Sequence, residues 1–186
     1  MNICIFNYAH ISKLRGGVER VTTTLATELA SRGHNIYQIS AANPIGTDSI
    51  EKNQFVLPDS DINSTTNATY VRSIIKEKKI DIILNQTDVK SIFDLIIETH
   101  KQTPIVSCIH TDPKALIKAT RDNWDEWRIK KGIEFWSKYP YFILRIIYQY
   151  YKRKVYASNK HREYYKKCDA IVLLSERFKE SFRILT

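Results

Sequence analysis

No stretch of this chain carries the GxGxxG spacing of dinucleotide sites or the GxxxxGK[ST] of phosphate-binding loops, so its chemistry has to be read from other features. Glycine and proline number five each, and there is no repeat or low-complexity tract, which excludes collagen-like, disordered and propeller architectures. The three cysteines, Cys4, Cys108 and Cys168, lie far apart beside apolar residues. They lack the close pairing of metal and redox motifs and are expected to be reduced core thiols. The histidines, at 10, 34, 100, 110 and 161, are scattered, and no Ser/His/Asp or Cys/His grouping supports covalent catalysis. The opening MNICIFNYAH has no basic leader, long apolar run or small-residue cleavage site, so a cytoplasmic location is expected. Nor can the apolar stretch that begins near Tyr141 span a bilayer, because Arg145 and Gln149 interrupt it short of the roughly 20 residues required.

What is present is a 186-residue chain, 43% hydrophobic, able to bury one good core, and a single domain over residues 1–186 is expected. Its charge is uneven. From Lys114 to Lys167 there are 15 Lys and Arg against 5 Asp and Glu, a net of +10, while the remainder has a net of −1. The same segment holds all three Trp and eight of the eleven Tyr. At 100° per residue, Ile143, Ile146, Ile147, Tyr150, Tyr151, Tyr164 and Tyr165 share one face of a helix. Arg145, Lys152, Arg153, Lys160, Lys166 and Lys167 share the opposite one. Such a segment, 141–167, suits an anionic membrane surface, and equally an apolar face packed on protein beneath solvated charges.

Along the chain, apolar runs and helical periodicities alternate. Asn2 to Tyr8 reads as a strand, Val18 to Arg32 as a helix stopped by Gly33, and Ile36 to Ile39 as the next strand. Residues 43–66 read mostly as loop, with a short apolar patch, Phe55 to Leu57, that fits an edge strand. Tyr70 to Lys79 is helical by pattern, Ile80 to Asn85 a strand, Val89 to Lys101 a helix and Pro104 to Ile109 a strand. A helical, basic and aromatic excursion over 113–167 precedes a strand, Ala170 to Leu174, and a short helix, Glu176 to Phe182. The alternation implies an α/β fold with a Rossmann-like, doubly wound, mainly parallel sheet, its first strand near the centre and its ligands at the carboxyl ends of the strands.

Several residues fall at that edge. Gly16-Gly17 precede a helix start, where unpaired backbone N–H groups and the helix dipole favour an anion such as a phosphate, although an ordinary tight turn has the same local sequence. His110 follows a strand directly, and Asp112 beside Pro113 fits a helix N-cap. Asn7, Tyr8 and His10 leave the first strand, with Lys13 and Arg15 in the loop beyond and Arg20 in the first turn of the helix. Asn85, Gln86 and Thr87 end another strand. Each of these side chains can hydrogen-bond a ligand, or belong to a solvated loop or a surface ion pair.

The order and spacing of Gly16-Gly17-Val18-Glu19-Arg20-Val21, Leu25-Ala26 and Leu29-Ala30-Ser31-Arg32-Gly33-His34 resemble the opening of family 4 glycosyltransferases, which have the GT-B fold. Ile80 to Asn85, Pro104 to His110 and Ala170 to Ser175 are similar to later parts of the same N-terminal domain. The resemblance implies a retaining transferase that takes a nucleotide sugar as donor substrate, with no metal and no covalently bound cofactor. It further implies that this chain is the acceptor-side half, that the C-terminal donor domain is absent from it, and that it is catalytically incomplete alone. Gly16 and Gly17 would then contact the donor diphosphate and His110 would be catalytic, beside the donor sugar. Asn7, Tyr8, Arg15, Arg20 and Asn85 would bind a saccharide or lipid-linked acceptor in polysaccharide or glycolipid assembly.

Two constellations mimic other sites. Asp59-Ser60-Asp61 has the Asp-x-Asp spacing of metal-dependent GT-A enzymes but sits in a polar loop, and Glu126 and Glu134 have the spacing of the family's donor-binding glutamate pair but lie in the basic, Trp-rich segment. Both are read as surface residues. The alternative to a transferase is an α/β domain that binds nucleic acid through its basic aromatic segment, a partner the leading reading does not require. A flavodoxin-like or receiver-type domain would need an acidic cluster or flavin-type loops, which the sequence lacks.

Overall fold

A computed structural model of the chain describes residues 1–9, 16–42, 52–87, 89–100, 103–110 and 163–173, together with 144–145, 147–148, 151, 175–176 and 179. Six strands, β1 (Asn2–Asn7), β2 (Asn35–Ser40), β3 (Gln54–Val56), β4 (Ile82–Asn85), β5 (Ile105–Ile109) and β6 (Ala170–Leu173), form one sheet in the order β3-β2-β1-β4-β5-β6. Every pairing is parallel. Among the described residues, the helices between these strands are α1 (Gly17–Ser31), α2 (Thr65–Glu77) and α3 (Lys90–His100). Parallel strands need crossovers, and these helices carry the connections from β1 to β2, from β3 to β4 and from β4 to β5.

The two faces follow from alternation along the strands. Ile3 and Ile5 pack with Ala26 of α1, flanked by Leu29, Ile36, Ile82 and Leu84. Cys4, Phe6, Ile39, Ile83 and Ile105 point the other way, against Ala68, Val71 and Ile74 of α2 and Ile92, Leu95 and Ile96 of α3. Each fully buried Ile, Leu or Phe contributes about 1.5–3 kcal/mol relative to exposure, so the larger core lies under α2 and α3.

Chain direction reverses between β1 and β4. From β1 the chain moves outward to β2 and β3, then returns through α2 to β4 and continues outward to β5 and β6. At such a switch point the flanking loops leave in opposite directions and open a crevice beyond the carboxyl ends of the central strands.

The opposite, amino edge is tied shut by Asn2. Its Nδ2 donates to the carbonyls of Lys78 (2.8 Å) and Lys79 (3.1 Å), where α2 ends, and its Oδ1 accepts from Asn35 Nδ2 (2.8 Å). Its backbone N–H donates to Asp81 Oδ2 at 2.7 Å. Two residues beyond helix ends take left-handed backbones, Gly33 at φ 84° and Lys79 at φ 49°.

Some elements differ from the sequence reading. α2 begins at Thr65, not Tyr70, because Ser64 caps it by accepting from the Asn67 N–H (3.2 Å). In α1 the residues facing the sheet are Thr22, Ala26 and Leu29, whereas Val21 is exposed. β6 ends at Leu173 among the described residues and is an edge strand with alternate residues exposed, Val172 among them.

By its contacts the chain divides into two compact units, residues 1–110 with 165–174, and residues 111–164 with 175–186. The sheet belongs to the first. In the second, Leu144, Ile147, Tyr148 and Tyr151 are helical and exposed, at the spacing of one helix face. Tyr164 is buried. The rest of 113–162, with Glu126 and Glu134, lies outside the described residues, as does most of the expected helix Glu176 to Phe182. Among the described residues no helix is long and apolar enough to cross a membrane.

Candidate active site

Buried polar residues gather toward the carboxyl ends of the central strands. Asn7 ends β1, Ser40 ends β2, Asn85 ends β4 with Gln86 and Thr87 behind it, and Ser107 lies in β5; all six are buried. Buried polar groups need partners, and most of these have them. Asn85 Nδ2 donates to the Thr87 carbonyl (2.9 Å) and to Ser107 Oγ (3.1 Å), and its Oδ1 accepts from the Thr87 N–H (3.2 Å). Asn85 therefore shapes the turn after β4 through its whole amide. Thr87 Oγ1 accepts from the Val89 N–H (3.1 Å), which leads into α3.

Gln86 has its backbone fixed by an N–H donated to the Phe6 carbonyl (2.9 Å). Its side chain runs across to β5, where Nε2 lies 3.3 Å from Cys108 Sγ and Oε1 lies 2.6 Å from His110 Nε2. The half-buried His110 is thereby held at the end of β5 by a residue from the end of β4. The sequence places Gln86 at a strand end but carries no sign of this contact, which spans 24 residues of chain.

Asn7 is 3% exposed; its Oδ1 accepts from the Tyr8 N–H (3.2 Å), while its Nδ2 finds no partner. On α1, Thr22 Oγ1 is likewise buried without a partner, although Thr23, Thr24 and Thr27 donate back to carbonyls of their own helix. Tyr8 is about half exposed, and its carbonyl accepts from the N–H groups of Ala41 and Ala42.

Gly16 is the N-cap of α1 and Gly17 its first residue. A glycine N-cap brings no side-chain acceptor to the first-turn N–H groups. Neither glycine has a positive φ, and a Cβ on Gly17 would meet nothing within 4 Å. The pair is thus not demanded by the backbone. Arg20, in the same first turn, is exposed. Asn7, Tyr8, Gly16, Gly17, Arg20, Asn85 and His110 all fall at the carboxyl edge of one parallel sheet; Arg15, His10, Lys13 and Asp112 lie outside the described residues.

The Asp-x-Asp stretch has a local structural use. Asp59 Oδ1 accepts from the Asp61 N–H (3.0 Å) and Asp61 Oδ1 from the Asn63 N–H (3.2 Å). The fully buried Asn67 donates from Nδ2 to the carbonyls of Asp59 and Asp61. Among the described residues no group of three or more His, Cys, Asp and Glu could hold a metal ion.

The cysteines are free thiols, and burial pushes the Cys4 and Cys108 thiols up and that of Cys168 up to about 11. They stay protonated near neutrality and are poor nucleophiles.

The model of one known protein family, described as Glycosyltransferase Family 4, matches residues 15–184. No curated protein matches this chain.

Proposed function

The chain belongs to glycosyltransferase family 4, and from that premise we propose that its carboxyl edge is the acceptor-side half of a retaining, nucleotide-sugar-dependent active site. The observation that carries this reading is the convergence on one sheet edge of an N-cap glycine, the His110 ring and the topological switch point. In the proposed reaction the acceptor hydroxyl oxygen bonds to the anomeric carbon on the face from which the diphosphate departs, through an oxocarbenium-like state, and the hydroxyl proton passes to the departing diphosphate oxygen. The departing diphosphate gains negative charge. First-turn N–H groups at Gly16 and Gly17 are oriented in advance and would stabilise that charge without reorganising.

His110 would hydrogen-bond the donor sugar or the acceptor hydroxyl. The buried donor of Asn7, with Tyr8, Arg15 and Arg20, would contact the acceptor, and Asn85 would serve it by shaping the turn. No metal is assigned a role. An acceptor in polysaccharide or glycolipid assembly, met at an anionic membrane face, fits the exposed apolar stripe of the basic segment.

The test is transfer from a panel of nucleotide sugars, with this chain alone and with a donor-binding domain attached. Transfer is expected only with that domain. In the active form His110→Ala should lower turnover by about 10²-fold or more with an unchanged fold. Turnover within a few-fold of the unmodified enzyme would remove His110 from the mechanism, and efficient transfer by the isolated chain would end the half-site reading.

A further inference from the structure

We propose that the Glu19 carboxylate is a built-in competitor for anions at the amino end of α1, one that a diphosphate must displace to bind and that helps to expel it afterwards. Its part in expelling a product rests on the reading of this edge as a diphosphate site; the competition itself is local.

Gly16 is the N-cap of α1, so Glu19 stands at the third helical position, and it is the acidic residue of the first turn. A glutamate there can fold back over the N-cap, where it meets the positive end of the helix dipole. Glu19 does so: a β-carbon on Gly16 would lie 3.2 Å from Glu19 Oε2. The side chain is half-buried, and none of the ion pairs among the described residues involves it. Glu28, near the other end of the helix, is instead held by Arg32 at 2.8 Å.

A second observation points to an acceptor-rich ligand on the same side of the sheet. Ile3 and Ile5 pack with Ala26 of α1, and Asn7 follows them in the alternation of β1, 3% exposed, with its Nδ2 donor unpartnered. Thr22, one turn before Ala26, is fully buried and unpartnered at Oγ1. An amide nitrogen can only donate and a hydroxyl can donate, which suits an oxyanion.

A carboxylate beside the N-cap supplies the charge that the first-turn N–H groups favour, so an incoming anion meets a like charge there. A diphosphate has more charge and more acceptor oxygens than one carboxylate. It can take over the N–H groups, but only by turning Glu19 out. Rotation about single bonds of the side chain is enough for that, and the N–H groups stay in place. Once the sugar has left, the tethered carboxylate returns as a competitor at high local concentration. The product diphosphate is then held less tightly than the N–H groups alone would hold it.

Pyrophosphate titrated into the intact 186-residue chain, followed through the backbone amide signals of Gly16 and Gly17, tests the competition. Glu19→Gln removes the charge and keeps the shape. It is expected to bind pyrophosphate about fivefold or more tighter than the unmodified chain at low ionic strength, with the gap narrowing as salt is added. Glu19→Ala should behave alike, so the result does not hang on one substitution. Equal or weaker binding by the variants, or no binding by any of the three chains, overturns the proposal. In the transfer-competent enzyme Glu19→Gln should strengthen inhibition by the nucleoside diphosphate product by about the same factor. Unchanged product inhibition beside tighter pyrophosphate binding overturns the role in release. Absence of transfer from every nucleotide sugar would instead strike the functional reading and leave the pyrophosphate result standing.

Discussion

At the scale of single residues, neither Gly16 nor Gly17 has a positive φ, and a Cβ on Gly17 would meet nothing within 4 Å. Gly17→Ala is therefore expected to leave stability unchanged or raise it by up to about 1 kcal/mol, since alanine is the better helix residue. If the diphosphate approaches there, the same change should cut transfer, and a thermal melt beside a transfer assay reads both. His110 was legible from its place after a strand, whereas the Gln86 contact was not, because two strand ends adjacent in space leave no trace in local pattern. The thiols carry a pH signature. Burial holds the Cys4 proton far above the usual value of 9.0, so above that pH the unfolded chain loses a proton that the folded one keeps. Stability falls as pH rises. Between pH 8 and 10 the Cys4 share should be about 1.4 kcal/mol, and urea midpoints for Cys4→Ala should fall by correspondingly less over that range.

At the scale of elements, every strand and helix among the described residues had been expected, and the errors sit at their ends. The start of α2 was hidden because Thr65, Thr66 and Asn67 are weak helix formers, while the signal that would have found it, the cap at Ser64, lies among other polar residues. Asn67 then turns its amide on the preceding loop, the same contacts that give Asp59 and Asp61 a structural role. Helix ends offer a paired test. Gly33 and Lys79 both take left-handed backbones, one with glycine and one with a β-carbon. Gly33→Ala should destabilise by about 1 kcal/mol, and Lys79→Gly should stabilise by up to about that amount, both measured by chemical denaturation. Neither site is at the carboxyl edge, so transfer should be unaffected.

At the scale of the whole molecule, the strand order separates two duties. The amino edge is closed by Asn2 and its partners, and the carboxyl edge gathers the polar residues. That division was legible from the alternation of elements, since parallel sheets put their ligands at one edge. The excursion was legible as basic and aromatic. Its exposed stripe supports a membrane test: flotation with vesicles containing anionic lipid should carry the protein up, vesicles of neutral lipid should do so less, and Tyr148→Asp with Tyr151→Asp should abolish it. The placement of β6 against β5 has a consequence for assembly over time. Their pairing closes about 60 residues of chain, a loop-closure cost of roughly 3.6 kcal/mol. A ribosome releases the first five strands well before the sixth. The edge of β5 must then stand open while the intervening segment is made, with the backbone of Ile105 waiting for Asp169, which both donates to its carbonyl and accepts from its N–H. During that interval an open strand can recruit the wrong partner, so aggregation in cells should track how fast the segment is translated rather than how stable the finished sheet is.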